Sequence, residues 1–432
     1  MSITATDSEL GRHLLTVRGF QFVMGALGDP YALLLRGETD DPEPMGRQVR
    51  ERGPLYRSNM ATWVTAGAAP AAQLLQDSRL GTRHPGSAGA QDHVFQNVWE
   101  AWQLCHVTPL DGALLTQPGD DYQRLARMVA PVLGADVVGA WQVDIERVVE
   151  QVLDRLDGEF DLVADLSRPI VINSLARVLG LPDATRAELA ELAPRLGIAL
   201  DATLCPPQLR VARCLMDAVA RLRTLLGTVV TARLAEPRDD AVSALFATAG
   251  ERDLAQDDVL AICVLAAVAG AEIATAVISN AVMALLEHQD QWKVLCDDPG
   301  RASDAIDETL RWAPPVRMQS CIAQQDFELA GQQIEEDSHV VVLVDAANRD
   351  PAANTDPDRF DLDRPHRTDY LNLSLAGRTY ESVVAPLARL QATATLRGIA
   401  RRMPGLSANG PVLRRIRSPV VRAVLRFPLT GH

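Results

Sequence analysis

Cysteine can form disulfides, bind metal ions and act as a redox group, and the cysteines of this chain are far apart in the sequence. No two have the C-x-x-C spacing of a zinc or redox site, and Cys105 and His106 are adjacent rather than helically spaced. The pattern therefore predicts reduced thiols, with no disulfide framework and no metal site. The cysteines are Cys105, Cys205, Cys214, Cys263, Cys296 and Cys321.

A segment near the C-terminus, LNLSLAGRTYESVVAPLARLQA (Leu371 to Ala392), has two different halves. The second half has apolar residues at helical spacing (Val383, Val384, Leu387), which predicts the start of a buried helix. The first half is typical of a loop that closely approaches a ligand. It contains no cysteine, so it offers no thiolate to a metal ion.

The charge balance limits the classes of partner. The 42 basic and 56 acidic residues give a net charge of −14, which argues against nucleic-acid binding and against adhesion to an anionic membrane. The N-terminus lacks the basic and apolar regions of a signal peptide. The apolar run Val259–Ala271 is too short to span a bilayer and continues into Glu272. We therefore expect a cytoplasmic protein with no nucleic-acid or membrane partner.

Helical periodicity dominates the pattern, and strand signals are few. Strands are predicted near Thr62, in a hairpin with a buried strand between Phe327 and Asp350, and in the C-terminal PVLRRIRSPVVRAVL. The expected fold is mainly α (α+β) with small sheets. We expect one domain over residues 1–432, with an N-terminal segment and small sheet region (1–117) and a helical core with the C-terminal region (118–432). Helices are predicted over Tyr122–Gly134, Val137–Leu156, Arg168–Leu179, Gln208–Ala235 and Asp257–His288.

Several motifs occur together in one order, and each is weak alone. DETLR contains Glu308 and Arg311 one helical turn apart, and DPDRF contains Arg359. AANRDP, APLARL, FDLVADL and VLGLPDATR complete the set, from about Pro118 onward. In this order the motifs resemble those of the bacterial cytochrome P-450 family, the haem-thiolate monooxygenases. The resemblance implies a cytochrome P-450-like fold in which Glu308, Arg311 and Arg359 form a structural ion-pair cluster.

The positions that hold haem in that family carry other residues here. Alignment on APL needs no gap and places Ser382 at the iron ligand and Tyr380 at the loop histidine. The histidine and arginine that pair with the haem propionates become Tyr122 and Ala126, and a further propionate arginine becomes Cys321. A neutral serine hydroxyl cannot replace a thiolate ligand.

The loop glycines and the oxygen-activation motif have changed as well. Ala376, Arg378 and Val384 stand at the glycine positions, so side chains occupy space that the family leaves to the porphyrin. In AGAEIA the family's acidic residue persists as Glu272, but the proton-relay threonine is Ile273, which can neither donate nor accept a hydrogen bond. We therefore expect no catalytic residues, no metal site and no cofactor.

A group of proteins that resembles this family also lacks the haem cysteine. Its members are auxiliary partners that activate glycosyltransferases attaching a deoxyaminosugar, carried as a TDP-sugar, to polyketide aglycones of macrolide or anthracycline antibiotics. GRHLLTVRGFQF, GDPYALLLRGETDDP, TWVTA and LRRIRSPVVRA are similar to segments of that group. The resemblance implies a heteromeric complex with a glycosyltransferase, and analogy with the group suggests a homodimer at its centre.

Alternatives stay open at this point. One is a cryptic haem enzyme with an unusual ligand, and another is a sugar or polyketide carrier that uses the vacated pocket. The apolar segment Arg18–Leu35 is either an interface patch or an N-terminal helix packed on the domain. The arginines near the C-terminus fit either an acidic partner or an ordinary solvated face, and they are Arg414, Arg415, Arg417, Arg422 and Arg426.

Overall fold

Helices make up most of the computed structural model, which describes residues 6–37, 43–81, 119–248, 252–365, 384–415, 417–421 and 423–431. The α-helices are α1 (Asp7–Ala26), α2 (Pro30–Arg36), α3 (Glu43–Glu51), α4 (Ala68–Gln76), α5 (Gly119–Leu133), α6 (Gln142–Leu153), α7 (Arg168–Val178), α8 (Asp183–Leu196), α9 (Leu209–Ala235), α10 (Ala241–Thr248), α11 (Arg252–Leu265), α12 (Ala271–Glu287), α13 (Gln289–Asp297), α14 (Ala302–Trp312), α15 (Val344–Asn348) and α16 (Ala385–Arg402).

Short strands form small sheets. The strands are β1 (Tyr56–Arg57), β2 (Trp63–Thr65), β3 (Leu80–Gly81), β4 (Glu159–Asp161), β5 (Met318–Ala323), β6 (Phe327–Leu329), β7 (Gln332–Ile334), β8 (His339–Leu343), β9 (Ser407–Ala408), β10 (Leu413–Arg414), β11 (Val424–Arg426) and β12 (Pro428–Thr430).

The largest sheet has the order β1-β2-β8-β5-β3, in which β2 and β8 are parallel and the other pairs are antiparallel. Smaller sheets pair β4-β12-β9, β10-β11 and β6-β7. The largest sheet joins strands from the N-terminal segment to strands from the second half of the chain. The hairpin and buried strand expected after Phe327 are confirmed as β6, β7 and β8.

A long apolar helix runs through the core, as the sequence predicts. Its first part is α11, a π-helical turn over Ala266–Gly270 follows, and α12 completes it. Gln256–Glu287 is long and apolar enough to cross a membrane by composition, with a mean hydropathy of 2.2. However, 94% of its most apolar window is buried inside the protein, as expected for the core helix of a globular fold. Helices α7, α14 and α16 pack around α12.

The first two helices form an antiparallel pair on the outside of this core. Thr6 and Glu9 form a capping box at the start of α1. Gly28, with φ of +84°, makes the turn, and Asp29 caps α2 through the Ala32 N–H. Asp29 is 1% exposed and also accepts a hydrogen bond from the Tyr56 hydroxyl at 2.5 Å. The α1–α2 pair is therefore fixed to the strand region.

Candidate functional site

The family's cofactor would lie between the central helix and the segment that begins α16. The π-helical turn Ala266–Gly270 gives way to α12 at this point, and Ile273 is completely buried in its first turn. π-Helical turns are frequent at functional sites because they widen the backbone locally. The geometry on both sides of this turn decides whether a cofactor fits.

Val384 closes the space next to this turn. It immediately precedes α16 and is 2% exposed. A Cβ atom placed on Gly270 would lie 3.7 and 3.8 Å from the two methyl carbons of Val384. The space between the Gly270 backbone and Val384 is therefore only about as wide as one methyl group. A flat macrocycle that touches groups on both faces needs about 7 Å between them. Haem does not fit between Gly270 and Val384.

The other expected haem positions have no replacement ligands where the structure describes them. Ala126 presents a methyl group on α5, and Cys321 is buried on β5 in an apolar cluster with Leu55 and Leu74. Ser382 and Tyr380 lie outside the described residues, and the side chain of Tyr122 does as well. Among the described residues, no group of three His, Cys, Asp or Glu could hold a metal ion. The residues that the structure describes thus do not match haem.

Glu272, the retained acidic residue of the oxygen-activation motif, has a new partner. It is 8% exposed, and one carboxylate oxygen lies 2.9 Å from Arg415 Nη2. Arg415 also donates from Nη1 to the Gly197 carbonyl at 2.7 Å. A Cβ atom on Gly197 would lie 2.5 Å from Glu272 Oε2, so any larger residue there would displace the Glu272 carboxylate. The carboxylate is therefore held in an ion pair.

Asp201 extends this buried cluster to the C-terminal segment. It is 3% exposed and lies 3.5 Å from Arg415 Nη1. Its carboxylate accepts hydrogen bonds from the Ser418 hydroxyl and from the N–H groups of Val420 and Val421, at 3.0 and 3.2 Å for the latter two. Burial raises the pKa of Asp201 to about 6, although Arg415 and these hydrogen bonds act in the opposite direction.

We call Asp201, Glu272, Arg415 and Ser418 the charged hub. The hub connects the turn after α8, the central helix and the segment between β10 and β11. The sequence pattern did not identify it, because it left two alternatives for the arginines near the C-terminus, a contact with an acidic partner or a solvated face. Arg415 fits neither alternative, because its side chain is 11% exposed and paired within the chain. In AGAEIA, Glu272 stands among apolar residues with no basic neighbour. A buried carboxylate needs a partner, so this pattern was the signal for a cation from a distant segment.

The structural ion-pair cluster is present with one change of member. Arg311 makes two 2.8 Å hydrogen bonds to the Glu308 carboxylate, and both side chains are about 5% exposed. Arg359 was expected as the third member, and this prediction is wrong. Its side chain is 61% exposed and points to Asp361, and only its carbonyl accepts a hydrogen bond from Arg311.

Arg364 takes the third position instead. Its Nε lies 3.2 Å from Glu308 Oε1, and its other nitrogens donate to the carbonyls of Thr355 and Asp356. The Asp361 N–H also donates to Glu308, at 2.9 Å. The turn after Phe360 reverses the chain toward Glu308, so the reach of Arg364 depends on this turn and not on motif spacing. The sequence signal was the arginine in FDLDR, which follows DPDRF directly.

A cleft of about 390 Å³ lies at the other end of α12. Asn280, Glu287 and Trp312 line it, together with Arg317 and Asp345, which form an ion pair with each other. Asn280 is about 15 Å along the helix from Gly270. The cleft is therefore separate from the position at which the family holds haem, and it gives no support to a ligand carried in that position.

Comparisons with known proteins agree with this geometry. A family model described as "Cytochrome P450" matches residues 302–375. Protein AknT of Streptomyces galilaeus is 46% identical over 98% of this chain and 96% of its own length. "Cytochrome P450 family protein EryCII" of Saccharopolyspora erythraea is 31% identical over 99% of both chains.

A solved structure gives the same result for the fold. The ligand-free crystal structure of Mycobacterium smegmatis CYP164A2 matches with a TM-score of 0.79 and 26% identity, over 93% of this chain and 99% of that one. Relatives above 30% identity cover almost the whole chain, and the fold and the Glu308–Arg311 ion pair are consistent with them. The chain belongs to the cytochrome P450 family, as a member without the residues for haem ligation.

Proposed function

We propose that this protein is a non-catalytic auxiliary protein that binds, stabilises and activates a glycosyltransferase of antibiotic biosynthesis. The transferase attaches a deoxyaminosugar from a TDP-sugar to a polyketide aglycone. The observation that carries the proposal is the close approach of Val384 to Gly270 within a cytochrome P450 fold. This approach leaves too little space for the family's haem, while the buried ion pair that supports the scaffold is kept.

The near full-length similarity to AknT and EryCII supports a role shared with such relatives rather than that of a monooxygenase. The N-terminal and C-terminal segments that resemble the auxiliary group point in the same direction. We propose that the protein works in the cytoplasm, in a heteromeric complex with the transferase. A homodimer at the centre of that complex is the expected symmetry.

Linkage gives the physical mechanism. A protein that binds only the active state of an unstable enzyme stabilises that state by RT ln(1 + [L]/Kd), which is about 2.7 kcal/mol at a hundredfold excess over Kd. A shift of this size converts a mostly inactive population into a mostly active one. The auxiliary protein needs no reactive groups for this task. It needs a stable surface that recognises one conformation of its partner.

Co-expression with the glycosyltransferase of the same biosynthetic pathway tests the proposal. We expect co-elution in size-exclusion chromatography, a rise in transferase activity, and no Soret absorbance in the purified protein. Equal transferase activity with and without this protein would contradict the proposal. Soret absorbance would support the cryptic haem enzyme, and binding of a nucleotide-sugar or aglycone without the transferase would support a carrier.

A further inference from the structure

The outward face of α1 carries a continuous apolar stripe. Leu15, Phe22, Val23 and Leu27 are 70%, 58%, 50% and 68% exposed. Their spacing places them on one side of the helix, with the small exposed residues Gly19 and Ala26 between them. We call these six residues the α1 stripe. Scattered apolar side chains are normal on a protein surface, but a row along one helix indicates a contact surface.

The opposite face of α1 is already occupied. Leu10, Leu14 and Val17 are buried, and Leu10 and Leu14 pack against Ala212 of α9. Gln21 donates to the Leu204 carbonyl at 2.7 Å. The helix is therefore apolar on two sides, of which this chain covers one. A helix that is apolar around its circumference is normally buried on all sides.

Arginines border the stripe around Phe22. The Arg36 guanidinium lies 4.3 Å from the centre of the Phe22 ring and donates to the Phe22 carbonyl at 2.8 Å. The backbone of Arg417 lies against Gly37, where an added Cβ atom would be 2.8 Å from Arg417 Cα. Burial lowers the pKa of Arg18, and the charge of Arg417 lowers it further. Arg18, Arg36 and Arg417 form what we call the arginine rim.

Two of the rim arginines, Arg18 and Arg417, carry positive charge that is not paired within the part of the chain that the structure describes. Among the described residues, no carboxylate lies within ion-pair distance of Arg18 or Arg417. The acidic residue between α1 and α2 is Asp29, which is buried and faces Tyr56. These two cations occur in a protein with a net charge of −14. Their placement is therefore a local feature that the average composition does not explain.

The charged hub holds the rim in position. Asp201 binds Ser418 and the N–H groups of Val420 and Val421, which directly follow Arg417. Arg417 has a φ of +56°, a left-handed conformation that is unfavourable for a residue with a side chain. The hub supplies the contacts that maintain this conformation. The acidic residue inherited from the oxygen-activation motif thus helps, through Arg415, to position a surface arginine.

We propose that the α1 stripe and the arginine rim together are the docking surface for the partner glycosyltransferase. The partner surface has a complementary row of apolar side chains flanked by Asp or Glu. This inference rests on the proposed function and assigns it a surface. The stripe from Leu15 to Leu27 is about 18 Å long. Stable interfaces bury about 800 Å² on each partner, so the stripe is the centre of a larger contact.

Charge favours this occupant over a second copy of the chain. A two-fold contact through α1 would bring the arginine rims of both copies together, and like charges across an interface oppose association. A membrane surface is also less suitable. An amphipathic helix that binds lipid has a free polar face, whereas the second face of α1 is packed against α9. An acidic, partly apolar protein surface fits both the stripe and the rim.

Neutral substitutions test the stripe without adding charge. Leu15→Gln combined with Val23→Gln removes apolar contact at two exposed helical positions. Gln has a helix propensity close to that of Leu and better than that of Val, so the helix is kept. We expect at least a tenfold increase in Kd for the transferase by calorimetry, with activation restored at excess auxiliary protein. Val143→Gln on α6 is the matched control, because Val143 is 65% exposed and distant in sequence. It should leave Kd unchanged.

A second pair of variants tests the rim. Arg18→Gln combined with Arg417→Gln should weaken binding and reduce its dependence on salt concentration, because exposed charges are screened. Arg195→Gln at the exposed end of α8 is the control. Far-ultraviolet circular dichroism and melting temperature establish that each variant is folded. Binding of both double variants with wild-type Kd would overturn the inference.

The outcomes separate this surface from the proposed function. If the wild-type protein binds no transferase, the proposed function fails. If it binds and both double variants bind equally well, only the surface assignment fails. A wild-type dimer that Leu15→Gln with Val23→Gln converts to monomers, measured by light scattering, would make the stripe a self-interface. Sedimentation with phosphatidylglycerol vesicles, lost in the same variant, would make it a membrane surface. Either result overturns the inference.

Discussion

Glu272 of the central helix is paired with Arg415 of the C-terminal segment, with 2.9 Å between Oε1 and Nη2. Both side chains are nearly buried, at 9% and 11% exposure. In the family that this chain resembles, the residue in this position belongs to the oxygen-activation motif. Here it forms a buried ion pair, which joins three distant segments through Arg415.

Removal of one member of this pair should destabilise the protein strongly. Arg415→Ala leaves two carboxylates, Glu272 and Asp201, buried without their cation, which costs about 3–5 kcal/mol. Glu272→Ala should cost less, because Arg415 keeps Asp201 as a partner. The double variant should lose less than the sum of the two, because both single variants remove the same Glu272–Arg415 interaction. Urea unfolding monitored by circular dichroism measures each free energy. Lys293→Ala in the exposed Lys293–Asp297 pair should cost less than about 1 kcal/mol. If the two single variants each lose less than about 1 kcal/mol and the losses add in the double variant, Glu272 and Arg415 are not coupled.

Asp201 should make stability depend on pH in an unusual direction. The folded state raises its pKa from 3.8 to about 6, so between these values the folded protein binds the proton more tightly than the unfolded chain. Its contribution is therefore fully present below pH 4 and is lost as pH rises through 6. The loss amounts to about 3 kcal/mol.

The variant Asp201→Asn removes this titration. The unfolding free energy of the wild type minus that of the variant should decrease between pH 4 and pH 6.5 and stay constant at higher pH. Urea unfolding at several pH values gives this difference directly. A constant difference over the whole range would mean that Asp201 titrates near its ordinary value. The groups that face it are Arg415, Glu272, Ser418 and Cys205.

The arginine cluster around Glu308 should distinguish Arg364 from Arg359. Arg364 is 15% exposed at the side chain and bonded to Glu308, so Arg364→Ala should cost about 2–3 kcal/mol. Arg359→Ala should change stability by no more than about 0.5 kcal/mol, because that side chain is 61% exposed. Both substitutions remove a guanidinium group, and the two positions are close together in the sequence. Equal losses in thermal or chemical unfolding would favour the cluster predicted from the motif.

Restoration of the cysteine alone should not restore haem binding. In Ser382→Cys the thiolate returns, but the close approach of Val384 to Gly270 and the buried Ile273 remain. We expect no Soret band after expression with a haem precursor. Ser382→Cys combined with Val384→Gly removes the obstructing methyl groups and is the informative comparison. A Soret band in the single variant would contradict the view that the space is closed.

Local pattern was enough to predict the central helix, the hairpin after Phe327 and the family. These features depend on residue type and on spacing within one turn or one motif. The Glu308–Arg311 pair falls in the same class, because residues three apart on a helix share a face. The expected boundaries of the single domain stay a prediction.

Other features were decided by the tertiary structure alone. Arg364 reaches Glu308 only because the chain turns after Phe360, and Val384 closes on Gly270 only because α16 packs against the central helix. The same applies to the burial of Arg415 and to the face of α1 that remains uncovered. The physical reason is common to all of them. Each depends on which distant segment packs against the residue. Neither composition nor periodicity encodes contacts between segments that are far apart in the sequence.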